Sequence, residues 1–215
     1  SDQFPFAYSE STDHNTGKVD AICKRPSSDP LIFHTQTSTE YWQRRGSLVH
    51  TDTKGNDLAP PENVRIYHWA SAQHLGNPLQ ELPTRGICQN PENVLQTSMI
   101  FRALLDALDN WVSKAITPPE NQIPTNSKGT LVDFKYWKSQ FPKIPNLVTP
   151  QAPNKLFIYD YGPKADLGIF DTLPPRKIQN CNYVIKVPSV DEDGNELAGI
   201  RVPMLGTPLA TYTGW

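Results

Sequence analysis

Two short runs of β-branched and aromatic residues, each followed by helical signals, constrain the fold of this chain most strongly. Residues 31–35 form an apolar run after Pro30, and residues 64–70 form a second run; both patterns predict buried strands. Between them, a hydroxyl side chain at Ser38 or Thr39 with Glu40 close behind predicts the start of a helix. The alternation is typical of an α/β protein with a mostly parallel sheet.

A second helix is predicted after the second strand. Its apolar residues recur three or four positions apart and therefore share one helical face. These residues are Phe101, Leu104, Leu105, Leu108, Trp111 and Val112. The pair Pro118-Pro119 prevents the helix from continuing.

Two strands are too few for a parallel sheet, which needs cover on both faces and neighbours at both edges. We therefore interpret residues 1–116 as part of an α/β core whose other strands come from a segment outside this sequence. Residues 117–215 differ, because they hold 13 of the 21 prolines. We interpret them as a wrapping extension rather than an independent domain.

The extension contains one predicted β-hairpin, near residues 183–202. The runs 183–187 and 197–202 flank the turn sequence Asp193-Gly194-Asn195. The acidic residues there also resemble a calcium loop superficially. The glycine comes too early and no glutamate follows at the required spacing, so a tight turn is the better interpretation.

Composition argues against some classes of function. The chain has 20 Lys plus Arg against 22 Asp plus Glu, which argues against binding nucleic acid through a basic surface. No run of about 18 apolar residues predicts a membrane span. High proline, asparagine, threonine and serine with little lysine is compatible with a secreted or periplasmic protein.

The cysteines Cys23, Cys88 and Cys181 show no CxxC spacing, so we predict no structural zinc site, and we predict no cofactor. A Cys23–Cys88 disulfide and three reduced cysteines both remain open.

Two side chains could carry chemistry at the end of the predicted sheet. Glu40 comes five residues after the first strand run, and His74 comes four residues after the second. Parallel strands end at one edge, where sites of open α/β sheets form. A carboxylate there can fix the tautomer of an imidazole and stabilise its protonated form. Taken singly, His74 could be a surface or packing residue, and Glu40 could serve the helix dipole.

Other residues near this edge allow rival interpretations. Asp52 could be the acid in place of Glu40, although it lies further from the first strand. His50 and His68 are better explained as packed or hydrogen-bonded residues. Large aromatic residues could line a pocket, but core packing is the favoured role. These aromatic residues are Tyr41, Trp42 and Trp69.

Several segments, in their order and spacing, resemble the "alpha/beta hydrolase domain" family of α/β-hydrolase-fold proteins. The resembling segments are residues 39–42 with 47–52, 64–67 through 73–74, 102–105 through 111, and the tail segments 190–201 and 208–215. The resemblance implies the chain order of nucleophile, acid and histidine. Glu40 then corresponds to the acid after the penultimate core strand, and His74 to the general base after the last one.

The chain departs from the family pattern because it contains no Gly-x-Ser-x-Gly sequence. The resemblance therefore implies the C-terminal portion of the fold: the last two core strands, the closing helix and the proline-rich extension. The implied function is a serine-dependent ester hydrolase acting on a small-molecule or polymeric ester. Its serine would lie on the remaining N-terminal part of the protein or on a companion chain, and this chain alone would be inactive. The alternative is a non-catalytic structural or ligand-binding module on a degenerate hydrolase fold.

Overall fold

The computed structural model describes residues 3–76 and 79–215, which form short helices and four two-stranded sheets. The strands are β1 (Ser11–Thr12), β2 (Val19–Asp20), β3 (Ile32–Thr37), β4 (Val64–Trp69), β5 (Leu131–Val132), β6 (Phe157–Asp160), β7 (Arg176–Asn182) and β8 (Val187–Pro188). The helices are α1 (Ser38–Gln43), α2 (Ser98–Lys114), α3 (Phe134–Gln140) and α4 (Pro203–Gly206), with 3₁₀ turns at Gly46–Val49 and Ala165–Leu167.

Strands β3 and β4 confirm the two predicted strands and pair in parallel. Their register runs from Ile32 opposite Val64 to Thr37 opposite Trp69, so both strands end level with each other. The other edge of β4 is covered by the proline-rich region. The backbone N–H of His68 donates to the carbonyl of Gln122 at 2.8 Å, and the N–H of Ile200 donates to the carbonyl of His68 at 2.7 Å.

Helix α1 begins at Ser38, directly after β3, as the hydroxyl and glutamate pattern predicts. Thr37 is the N-cap, and its backbone N–H and hydroxyl both donate to Oε2 of Glu40, at 2.6 and 2.5 Å. This contact satisfies the backbone N–H of the cap residue, as the glutamate of a capping box does. It also fixes the direction of the Glu40 carboxylate.

Helix α2 confirms the helix predicted over residues 101–112 and extends it at both ends. It packs on the β3–β4 pair, with ring centroids of Phe33 and Trp111 5.7 Å apart and those of Trp69 and Phe101 5.4 Å apart. Two strands are too narrow to cover the whole apolar face of a 17-residue helix. Phe101, Leu105 and Val112 are therefore all more than half exposed.

The hairpin predicted near residues 183–202 is present only close to its turn. Asp191 Oδ1 accepts the N–H of Asn195 at 2.9 Å, Val190 forms an antiparallel bridge with Glu196, and the N–H of Leu197 donates to the carbonyl of Ser189 at 3.1 Å. The two flanking runs pair elsewhere: β8 joins β5, and Ile200 bridges Trp69 of β4. Strands β6 and β7, which come before this region, form a separate antiparallel pair.

The open edge of β4 explains why the run after the turn leaves its predicted partner. Gly199 passes so close to β4 that a Cβ there would lie 2.6 Å from the carbonyl oxygen of His68. With a φ of +99°, this backbone conformation also favours glycine. This close approach lets the backbone N–H of Ile200 donate to the carbonyl of His68 in β4.

Both halves of the chain contribute to the same hydrophobic clusters. One cluster joins the end of β4 and helix α2 to the tail: Trp69, Ala70, Ala72, Leu95, Ile100, Val202, Leu205 and Tyr212. Another joins α1 to α3, β5 and β8: Tyr41, Trp42, Leu131, Trp137, Phe141 and Val187. The extension thus packs directly beside the segments that follow β3 and β4. No helix in the described part of the chain is long and apolar enough to cross a bilayer.

Candidate active site

The level ends of β3 and β4 bring the two predicted site residues together. Nδ1 of His74 lies 2.5 Å from Oε1 of Glu40, within hydrogen-bonding distance. The second oxygen of Glu40 is held by the Thr37 cap, so the two oxygens have separate acceptor roles. The His74 side chain is 65% exposed and that of Glu40 is 18% exposed. The imidazole is accessible, while its carboxylate partner is largely covered.

The backbone of His74 is tied to helix α1 as well. Its N–H donates to Oγ1 of Thr39 at 3.0 Å, and that hydroxyl donates to the carbonyl of Gly214 at 2.5 Å. Gly214 lies against the start of α1, because a Cβ there would be 2.5 Å from the nitrogen of Thr39. Through Thr39, the C-terminal tail and the His74 segment both contact helix α1, which carries Glu40.

An open cleft of about 610 Å³ lies beside this pair, with His74 in its lining. Trp42 and Trp215 give it aromatic surface, and Glu92 is the one side chain with a full charge among the described residues that line it. Nε2 of His74 has no hydrogen-bond partner within residues 3–76 and 79–215. An imidazole with its Nδ1 oriented by a carboxylate and its Nε2 open can exchange a proton with a bound molecule.

A second histidine–carboxylate pair lies beneath the first, and the sequence patterns missed it. Nε2 of His68 lies 2.8 Å from Oε2 of Glu196, with the two side chains 0% and 6% exposed. The same carboxylate accepts the N–H of Ser71 at 2.5 Å and the hydroxyl of Ser38 at 2.7 Å. The buried position of His68 agrees with its interpretation as a hydrogen-bonded packing residue.

His50 is also buried and hydrogen-bonded, as interpreted from the sequence. Its Nε2 lies 2.7 Å from the hydroxyl of Tyr41, which accepts a hydrogen bond from Nε2 of Gln36. Burial lowers the pKa of His50 to about 3, with a smaller contribution from neighbouring His68. Burial also raises the pKa of Tyr41 well above its usual value, so this phenol stays protonated.

Asp52, the rival acid, contacts its own turn. Its carboxylate accepts the N–H groups of Lys54 and Asn56, both at 2.8 Å. Among the three aromatic residues considered for a pocket, Trp42 lines the cleft, while Tyr41 and Trp69 are buried in the core.

The three cysteines are all free thiols in the structure. Of the two possibilities that the sequence left open, the three reduced cysteines are therefore observed. Cys88 lies in the lining of the cleft.

Comparison with protein families identifies the class of this protein. The model of the alpha/beta hydrolase domain family matches residues 5–215. The chain belongs to this family, as its residues indicated, and the membership supports a hydrolase in general. Comparisons with curated proteins and with solved structures give no significant match.

Proposed function

We propose that this chain supplies the general base and its orienting carboxylate to a serine-dependent carboxylic ester hydrolase. The observation that carries the proposal is the His74–Glu40 hydrogen bond at the rim of the cleft, with Nε2 of His74 open. The substrate is a small-molecule or polymeric ester, and the protein acts in a secreted or periplasmic setting.

The proposed reaction proceeds through an acyl-enzyme. Nε2 of His74 takes the proton of a serine hydroxyl as that oxygen attacks the ester carbonyl, and returns it to the leaving alcohol. Water, activated by the same imidazole, then hydrolyses the acyl-enzyme. Glu40 keeps the proton of His74 on Nδ1 and stabilises the imidazolium that forms in each half-reaction.

The nucleophile must come from elsewhere, because no serine occurs among the described residues that line the cleft. We place the serine and the oxyanion hole on the remaining N-terminal part of the protein or on a companion chain. Two observations support this placement: among the described strands β3 pairs with β4 alone, and the apolar face of α2 is largely open. Further strands beside β3 would cover both. This chain by itself is then inactive.

The competing proposal is a structural or ligand-binding module without catalysis. A fluorophosphonate probe separates the two, because it labels only an activated serine. The natively purified protein, with every polypeptide that copurifies, is treated with the probe and digested for mass spectrometry. We expect labelling of one serine on the N-terminal part or companion chain in wild type, and strongly reduced labelling in His74→Ala.

Two variants serve as controls for the labelling. His14→Ala removes an exposed histidine that bonds to Thr53 and should leave labelling unchanged. Cys88→Ala removes the thiol of the cleft and should also leave it unchanged. Absence of labelling in wild type, or equal labelling of wild type and His74→Ala, would reject the ester hydrolase in favour of the non-catalytic module.

A further inference from the structure

We propose that Glu196 is a positioning residue. It fixes the position of the segment that carries Glu40 relative to the segment that carries His74. The inference rests on the proposed ester hydrolase function, because the alignment of these two side chains matters for that chemistry. Glu196 falls within the tail segment 190–201, but no sequence pattern assigned it a role. It comes 125 residues after Ser71 and 158 after Ser38, yet it contacts both.

The Glu196 carboxylate joins three elements at once. Oε1 accepts the hydroxyl of Ser38, the first residue of α1, at 2.7 Å. Oε2 accepts the N–H of Ser71, directly beyond β4, at 2.5 Å, and lies 2.8 Å from Nε2 of His68 within β4. Ser38 stands two residues before Glu40, and Ser71 stands three residues before His74. One buried carboxylate therefore spans the two segments that carry the proposed base and acid.

Ser71 shows why the loop after β4 needs such a partner. Its φ of 57° lies in the left-handed region, which non-glycine residues adopt when the surroundings hold them there. Ser71 and Glu196 bond reciprocally, because Oγ of Ser71 also accepts the backbone N–H of Glu196 at 2.8 Å. The two segments are also linked directly, by the backbone N–H of Ser38 donating to the carbonyl of Ala72 at 3.1 Å and by the N–H of His74 donating to Oγ1 of Thr39. Glu196 adds buried side-chain bonds beside these.

Glu196 acts through other residues rather than on substrate, since its side chain is 6% exposed and it is not among the residues that line the cleft. Its removal should leave substrate affinity almost unchanged and lower the rate of the chemical step. A misplacement of reacting groups by about 1 Å can cost about 10²-fold in rate. A purely structural carboxylate would instead change only the fraction of folded molecules.

The test uses the natively purified protein with every polypeptide that copurifies. Two experiments are carried out: steady-state kinetics, which gives kcat and KM for an activated ester per folded molecule, and ¹H NMR, which gives the resonance of the His74 Nδ1 proton. We expect Glu196→Ala to lower kcat by about 10²-fold with little change in KM, and to broaden or remove that resonance. Glu196→Gln should retain both, because its oxygen can still accept from Ser71 and His68 while its amide donates to Ser38.

Ser38→Ala provides a milder variant in case Glu196→Ala does not fold. It removes one of the three contacts and should broaden the His74 resonance partially. The matched control is Ser189→Ala, a buried serine whose Oγ makes no hydrogen bond within the described residues. An unchanged resonance and unchanged kcat in folded Glu196→Ala or Ser38→Ala would overturn the positioning role. If wild type hydrolyses no ester but the resonance responds as expected, the positioning role stands and the ester hydrolase function falls.

Discussion

The two histidine–carboxylate pairs of this protein have similar contacts and opposite surroundings. His74 and Glu40 lie at the rim of a cleft, with 65% of the His74 side chain exposed. His68 and Glu196 lie directly beneath, and the His68 side chain has no exposed surface. An imidazole bonded to a carboxylate is therefore not by itself a catalytic arrangement. The proposed acid–base pair differs from the buried pair because a reacting molecule can reach its imidazole.

The two pairs also differ in the hydrogen bonds that their carboxylate oxygens accept. Glu40 uses one oxygen for the helix cap and leaves the other to His74. Glu196 uses both oxygens to join separate segments of backbone and side chain. The upper pair, His74 and Glu40, therefore leaves Nε2 of its imidazole open to the cleft, while the carboxylate of the lower pair, His68 and Glu196, contacts both Ser38 and Ser71.

The largest expected effect is on the upper pair, from Glu40→Gln. Both oxygens of Glu40 accept hydrogen bonds, so the single oxygen of glutamine cannot serve Thr37 and His74 together. If the amide faces His74, it donates to Nδ1 and imposes the wrong tautomer. We expect kcat in the intact enzyme to fall by about 10³- to 10⁴-fold. The free energy of unfolding should fall by about 1 kcal/mol or less, the usual weight of a helix cap.

Ester hydrolysis and urea denaturation of the same preparation measure both quantities for Glu40→Gln. Glu62→Gln, an exposed glutamate just before β4 and thus at the opposite end of the sheet, is the matched control. Activity of Glu40→Gln within a few-fold of the control would remove Glu40 from the proposed mechanism. Asp52 would then need to be tested as the acid.

The next expected effect is at the lower pair, where we expect a large loss of stability and only a small change in kcat. His68→Ala leaves Glu196 buried with fewer partners and opens space in the core. Removing one member of a buried pair costs about 3 kcal/mol or more of unfolding free energy. We expect that loss in urea denaturation, with less than about tenfold change in kcat per folded molecule. For His74→Ala the stability should change by only about 0.5 kcal/mol, as for exposed positions. A catalytically dead but stable His68→Ala would reverse the roles of the two pairs.

The upper pair was accessible to sequence reasoning for a physical reason. Strand and helix signals near Glu40 and His74 are local, and parallel pairing brings strand ends to one edge. Two strand ends at the same level, Thr37 opposite Trp69, then place the following segments side by side. The hydroxyl and glutamate pattern within residues 37–40 also indicates where α1 begins.

Local sequence patterns predicted neither the lower pair nor the path of the extension. Glu196 and His68 are 128 residues apart, and no periodicity or spacing relates them. The sequence Asp193-Gly194-Asn195 correctly marks a turn, but a turn does not determine which strands its arms join. The arms pair with each other only next to the turn; further out they pair with β5 and with the end of β4, whose edge needs hydrogen-bond partners.

The smallest expected effect, taken per pH unit, is a contribution of buried His50 to the pH dependence of stability. Burial lowers the pKa of His50 to about 3 in the folded protein, whereas an unfolded histidine titrates near 6.5. Between these values the unfolded state binds more protons, so stability is complete above about pH 6.5 and decreases as the pH falls. One such group changes the free energy of unfolding by about 1.4 kcal/mol per pH unit in that window.

Carboxylates also titrate in this window, so the His50 contribution is a difference between variants. His50→Gln can still accept the Tyr41 hydroxyl and cannot protonate. Urea denaturation from pH 7 to pH 4 should give a slope for His50→Gln that is shallower than wild type by up to about 1.4 kcal/mol per pH unit. His14→Gln, at an exposed histidine, is the matched control substitution. Identical slopes for wild type and His50→Gln would mean that burial does not lower the pKa of His50 in the folded protein, and the region around Tyr41 would then be accessible to water.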